Sequence, residues 1–332
     1  MADWEDFTQK FLSLPMIIPK EDEEITHYYE GVKFLKVMPA SALKEIRTFE
    51  VRSDDIYLIS YPKAGTTWMQ QIVSQIVDGE KENNNQTHLF FKFPFLEITW
   101  VNHHSQIGLI PPSHKILESM PSPRMIKTHL PSQLLPQQIF ERKPKILYIA
   151  RNPKDVLVSY YHFHNTDVTL PTYKTWDDFF QDFISGDVAH GPWFEHNLFW
   201  WQHRHDPNVL FLKYEDMKHD LKGAIIQVAD YLGRTFPDDV LDKMVEKCTF
   251  KSMKKNPACN PDSLGYNIDD IENGKKEADI KKEVQEDQQT SFLRKGTVGD
   301  WRNHFTVAQN DIFDKLYTDK MSGSDLVFDF GS

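Results

Sequence analysis

Cysteine is nearly absent: the 332-residue chain holds two, Cys248 and Cys259. Two thiols cannot build a disulfide framework, and their spacing matches no metal site. One bridge and two free thiols both fit the sequence; a reducing compartment favours free thiols. Long apolar runs are also missing. No stretch reaches membrane-spanning length, and no signal-peptide core succeeds the polar, acidic start Met1-Ala2-Asp3-Trp4-Glu5-Asp6. The expected location is the cytoplasm, with no membrane partner, and the sequon Asn85-Gln86-Thr87 reads as a polar loop. Basic residues are outnumbered, 38 Lys and Arg against 49 Asp and Glu, a formal charge of −11. That balance excludes a general nucleic-acid or anionic-membrane binder, so an anionic ligand needs a local basic site. The loop G-x-x-x-x-G-K-[ST] is absent as well, which disfavours an ordinary P-loop kinase or ATPase.

Apolar residues make up 40% of the chain, enough for a substantial core in one large domain or two small ones. Its organising stretch runs from Asp55 to Trp68. Ile56-Tyr57-Leu58-Ile59 reads as a buried strand. Pro62 and Gly65 punctuate a loop, and Trp68, Ile72, Val73, Ile76 and Val77 recur at helical spacing from about Thr66. A strand, a tight loop with a lysine and a helix start together suit a phosphate. The first-turn N–H groups and the helix dipole face the loop, Lys63 adds charge, and Thr66 and Thr67 add hydroxyl donors. An ordinary βα turn explains the same local pattern.

Further strands are predicted at 124–129, 145–151 and 209–212, and helices near 153–160, 217–232, 238–247 and 307–321. The final helix carries Ile312, Phe313, Leu316 and Tyr317 as its apolar face. Alternating strands and helices predict an α/β fold, a central, mostly parallel sheet flanked by helices. Residues 1–50 are expected to wrap a single body spanning 51–332. Charge-rich residues 258–291 lack periodicity and read as a mobile lid. Lys63, Lys127, His129, Arg151 and Tyr214 all fall just past predicted strands, where such sheets gather their chemistry. The aromatic run 89–101 is either core or one wall of a pocket.

With these residues laid out, the chain resembles the cytosolic sulfotransferases, with weaker likeness to phenol- and amine-type members in Pro121-Ser122-Pro123-Arg124 and Trp193-Phe194-Glu195-His196. Tyr61-Pro62-Lys63-Ala64-Gly65-Thr66-Thr67-Trp68 resembles the family's 5′-phosphosulfate loop, and Arg151-Asn152-Pro153-Lys154-Asp155-Val156 through Ser159 its 3′-phosphate motif. Arg294-Lys295-Gly296-Thr297-Val298-Gly299-Asp300-Trp301 resembles its C-terminal block. The resemblance implies a P-loop-like fold and a metal-free transferase using 3′-phosphoadenosine 5′-phosphosulfate (PAPS, leaving PAP). It assigns Lys63, Ala64, Gly65, Thr66, Thr67 and Trp68 to the 5′ side. Arg151, Ser159, Arg294, Lys295 and Gly296 fall to the 3′-phosphate. Trp68, Tyr214 and Phe250 surround the adenine, with Cys248, Thr249, Met253, Phe292 and Leu293 in the same nucleotide segments. Cys248 stands where threonine is common and Ala64 where serine is frequent, so two hydroxyls are lost. Arg302-x-x-x-Thr306-Val307-x-x-x-Asp311 resembles the family's dimerisation motif with both charged ends replaced, which implies a weakened homodimer.

Such a transfer needs a base, charge relief on the transferring group and a settled leaving group. His129 is the candidate base, because imidazole titrates near neutral pH. Lys63 is placed at the departing phosphate, Lys127 at the sulfonate, and Ser159 beside them. Lys127 and His129, two apart, leave one face if that strand stays extended. With them, Phe95 and Phe163 are the expected acceptor contacts, and Trp100 a weaker one. The acceptor is expected to be a small phenol, alcohol, amine or steroid. A kinase-like phosphotransferase and a non-catalytic donor-binding protein are the competing readings; the missing P-loop order argues against the first and the intact His129, Lys63 and Lys127 against the second.

Overall fold

Alternating side chains on two neighbouring strands enter two separate cores, which fixes the sheet at the centre of the molecule. Tyr57, Ile59, Ile146, Tyr148 and Ala150 belong to one apolar cluster; Ile56, Leu58, Leu147 and Ile149 belong to the other. A strand sends successive side chains to opposite faces, so a sheet buried on both sides needs continuous apolar runs such as Ile56–Ser60 and Lys145–Ala150. The computed structural model describes residues 25–79, 87–99, 112–167, 170–260 and 292–331. The first 24 residues, Trp100 and most of the segment expected to form a lid (261–291) lie outside the described residues.

Four strands, β3 (Ile56–Ser60), β4 (Met125–Thr128), β5 (Lys145–Ala150) and β6 (Val209–Lys213), form the sheet in the order β4-β3-β5-β6. Every pairing is parallel, with Leu58 opposite both Lys127 and Leu147. The expected α/β class with a parallel sheet flanked by helices is what the chain adopts. Helices Thr66–Asp78, Leu221–Tyr231 and Asp238–Lys247 contribute Ile72, Val228 and Leu241 to one core. Helices Pro153–His164, Trp176–Ser185 and Trp193–Gln202 contribute Leu157, Phe180 and Trp193 to the other.

Three local outcomes differ from the sequence reading. Within residues 1–50, read only as a wrapping segment, residues 26–35 form an antiparallel hairpin, β1 (Thr26–Tyr29) and β2 (Val32–Leu35). Glu30 and Gly31 both have positive φ, 49° and 79°, which matches the twist of a two-residue hairpin. Phe34 and Leu35 carry this hairpin into the main core. The helix read over 217–232 is two helices, Tyr214–His219 and Leu221–Tyr231. Asp220 separates them, because its carboxylate accepts the Gly223 N–H at 2.8 Å and so caps the second helix. Ile312 is 48% exposed while Phe313 is fully buried, so the last helix turns a narrower apolar face inward.

Candidate functional site

The carboxyl ends of β3, β4 and β5 open onto a single cavity of about 350 Å³. Of the residues singled out by sequence, Lys63, Gly65, Thr66, Thr67, Trp68, Phe95, Lys127, His129, Arg151, Ser159, Phe163, Tyr214, Phe250, Phe292, Leu293, Arg294, Lys295 and Gly296 line it. Ala64, Cys248, Thr249 and Met253 do not belong to that lining. Ala64, Cys248 and Met253 are buried. The Cys248 carbonyl accepts the Trp68 indole N–H at 2.8 Å, and Thr249 caps the helix Phe250–Lys255 by accepting from Ser252 N at 3.2 Å. These residues hold up the wall: one steers Trp68, the other fixes Phe250.

The β3 loop shows why its residue types are needed. Gly65 caps the helix Thr66–Asp78 at φ 110° with no side-chain cap, so first-turn N–H groups keep no intrahelical acceptor. A Cβ at Gly65 would fall 2.8 Å from the Tyr214 ring. Lys63 sits at φ 64°, and its ammonium lies 4.0 Å from the ring centres of both Phe163 and Phe292.

A second cation-bearing region joins two distant motifs. Arg151 donates to the Thr297 carbonyl at 2.9 Å, and its Nε, like that of Arg294, has no hydrogen-bond partner among the described residues. Arg294 and Lys295 both pair with Asp300 at 2.7 Å. Buried Asp155 ties this block to the helix Pro153–His164, accepting the N–H groups of Gly299 at 2.8 Å and Trp301 at 3.1 Å. Gly296 has φ 65°, and a Cβ there would lie 2.3 Å from the Phe250 ring. Trp68 and Tyr214 meet at 5.1 Å between ring centres. Two orphaned guanidinium nitrogens, two glycines pressed against rings and an aromatic pair make a cradle suited to a phosphorylated nucleotide.

On the other side, the chain past β4 places Lys127 and His129. His129 Nδ1 lies 2.7 Å from the Ser60 carbonyl oxygen, which can only accept, so the proton is on Nδ1 and Nε2 is the bare acceptor. Ser60 Oγ is 3.3 Å from the same nitrogen and 2.7 Å from Thr66 Oγ1, linking the histidine to the loop helix. Burial above all, then the positive field of Lys127, pushes the imidazole pKa down to about 3. Lys127 is buried, its ammonium 4.0 Å from the Phe95 ring centre, and burial lowers its pKa to about 7 against the opposing pull of Glu97.

Residues not singled out by sequence also shape this side. His190 packs edge-on at 5.5 Å from His129, and Met38, Ile98, Leu170 and Asp167 line the cavity, Asp167 as its one carboxylate among the described residues. Glu97 is fully buried and accepts the His129 N–H at 2.8 Å. An acid inside an aromatic run, Phe93-Pro94-Phe95-Leu96-Glu97, was the available sign of it. His162 and His164 do not line the cavity; His162 bonds His304 at 3.0 Å and His164 bonds the Pro171 carbonyl at 2.9 Å. Among the described residues no cluster of His, Cys, Asp or Glu could hold a metal ion, and no helix is long and apolar enough to cross a membrane.

Fold and cavity define a class first: an α/β protein that gathers cations and helix-terminal donors at the carboxyl edge of a parallel sheet, as nucleotide-binding proteins do. Comparison makes the class particular. The sulfotransferase-domain family model matches residues 53–325, and the chain belongs to the sulfotransferase family. It is 41% identical over 285 residues to Sulfotransferase 1C2 of Rattus norvegicus, covering 86% of this chain and 88% of that one. With Sulfotransferase 1A1 of Bos taurus it shares 39% over 302 residues, 91% and 94% of the two chains. Among solved structures it resembles mouse sulfotransferase SULT7A1 complexed with PAP, at TM-score 0.70 and 32% identity, covering 91% of this chain and 96% of that one. Retinol dehydratase in complex with androsterone and PAP superposes at TM-score 0.76 and 27% identity, with 91% and 92% covered.

Proposed function

We propose that this sulfotransferase moves the sulfuryl group of PAPS to a hydroxyl or amine of a small, largely apolar acceptor, with His129 as general base. The observation that carries the reading is the single cavity shared by the three cation-bearing motifs and His129. PAP in the related mouse sulfotransferase and in retinol dehydratase supports the donor, and androsterone in the latter supports a small apolar acceptor. The cradle fits that donor: Gly65 to Trp68 with Lys63 would hold its 5′ side, Arg151, Ser159, Arg294, Lys295 and Gly296 its 3′-phosphate, and Trp68, Tyr214 and Phe250 its adenine. When bound, PAPS supplies the sulfuryl group and a phosphate that leaves without needing a proton.

The rest of the chemistry belongs to the chain. His129 Nε2 takes the acceptor's proton, while the Ser60 carbonyl holds the ring in the tautomer that leaves Nε2 free of hydrogen. Lys63 offsets charge on the departing oxygen, Lys127 offsets charge on the sulfonate, and Ser159 faces the same space. Phe95 and Phe163 wall the acceptor side and exclude water, which strengthens every charge interaction inside. A panel of phenols, alcohols, amines and steroids assayed with labelled PAPS tests the reading. Label transfer to at least one class is expected; a folded protein that labels none contradicts it. We place the protein in the cytoplasm, as its sequence suggests.

A homodimer through Arg302, Thr306, Val307 and Asp311 belongs to the same proposal. Thr306 and Gln309 cap the last helix reciprocally, and the capping presents Val307 to solvent at 81% exposure. Asp311 is one methylene shorter than the glutamate of the family pattern, so the association is expected to be weak. Sedimentation at micromolar concentration should show a monomer–dimer equilibrium, and monomer alone would remove the dimer.

A further inference from the structure

Glu97 is the one fully buried acid beside the proposed sulfonate lysine, and no step of the proposed transfer uses it. Its place is set by main-chain pairing. Lys127 N donates to the Pro94 carbonyl at 3.1 Å and Leu96 N to the Lys127 carbonyl at 2.9 Å, with Phe95 and Lys127 bridged in parallel. This short extension of the sheet runs along β4 and brings Glu97 level with His129, whose N–H it accepts at 2.8 Å. Glu97 Oε2 has no hydrogen-bond partner among the described residues. A carboxylate buried in an aromatic wall with one unsatisfied oxygen is costly for the fold, and proteins keep such groups where their field is used.

We propose that Glu97 is a positioning residue for sulfuryl transfer: its buried carboxylate keeps the Lys127 ammonium charged and holds the His129 main chain in register. This rests on the reading of Lys127 as the group that relieves charge on the sulfonate. The ammonium is surrounded by the Phe90 and Phe95 rings, whose faces attract a cation but do not neutralise it. His88 and His129 interact with Lys127 electrostatically, and Lys63 and His196 in turn act on His129. All of these groups are cationic when protonated. Among the described groups that act on Lys127, Glu97 is the one that favours its charged form. Burial raises the carboxyl of Glu97 itself to about 7, opposed chiefly by the His129 N–H, so its negative charge develops as pH rises through that value. That is the range in which Lys127 would otherwise lose its proton.

In Glu97→Gln the amide oxygen can still accept the His129 N–H, but the negative field is gone and Lys127 deprotonates at lower pH. The alkaline limb of kcat/KM for PAPS, which reports the free enzyme, should therefore move down by about one pH unit or more. At a pH above that limb, kcat/KM should fall about tenfold. The acid limb should stay in place, and Glu97→Asp, which keeps the charge, should restore the alkaline limb toward its wild-type position. In a Lys127→Met background, Glu97→Gln should add little, because its effect passes through the missing ammonium. An unmoved limb in Glu97→Gln, or losses that multiply in the double variant, would overturn the proposal. Full activity in Lys127→Met alone would instead remove the reading on which it rests. Protein that folds only as Glu97→Asp still decides the matter: a wild-type limb supports the field, and a limb shifted down counts against it.

Discussion

Replacing His129 with alanine is expected to cut kcat by roughly 10²–10⁴-fold, the usual contribution of a general base, while PAP binding stays near wild type. The separation of effects comes from the geometry. His129 meets the β3 loop through Ser60, whereas Arg151, Arg294 and Lys295 line the same cavity and are proposed to hold the 3′-phosphate. Its tautomer is fixed by the Ser60 carbonyl at 2.7 Å, so Nε2 needs no rearrangement to accept a proton. Burial holds the imidazole pKa near about 3, well below its ordinary value. The protonation midpoint is therefore displaced, not reversed: an exposed histidine protonates near 6.5, whereas the His129 imidazole stays neutral as pH falls below that value. Between pH 6.5 and 5, kcat/KM for PAPS should show no inflection from His129. Turnover unchanged in His129→Ala would remove the histidine from the mechanism, and loss of PAP binding would show it to be structural.

Lys63→Met is expected to lower kcat on the order of 10²–10³-fold, the usual cost of losing one preorganised charge donor. Methionine is the informative choice. It keeps an unbranched stem between the Phe163 and Phe292 rings, whose centres lie 4.0 Å from the wild-type ammonium, and removes only the charge. KM for PAPS should change less than kcat, because the donors of the first helical turn and the cations near Asp300 stay in place. Equal losses in binding and turnover would mean that Lys63 serves the ground state. A kcat within threefold of wild type would contradict a role at the leaving oxygen.

The parts of this site that sequence exposes are those fixed by short-range rules. β3 and β5 are legible because strands buried on both faces must be apolar throughout, and the charged residues just past them, Lys63 and Arg151, stand out by contrast. The helices read near 238–247 and 307–321 are Asp238–Lys247 and Val307–Met321, whose starts are marked locally by Pro237 and the Thr306–Gln309 capping box. Asp220 hid from the same reading, since a capping aspartate inside an amphipathic pattern looks like one more polar position. The hairpin at Glu30–Gly31 depended on a non-glycine residue at positive φ, which composition does not announce. Asp155 and Glu97 hid their partners for another reason. Each acts across the fold, on Gly299 and on His129, and a buried carboxylate's partner is not written near it in the chain.

Calorimetric titration of the folded protein with PAP tests the central claim most directly. One-to-one, saturable binding is expected, with the affinity sharply reduced in an Arg151→Ala variant of unchanged melting temperature. A folded wild-type protein that takes up no PAP, or an Arg151→Ala variant that binds it equally well, would contradict the account.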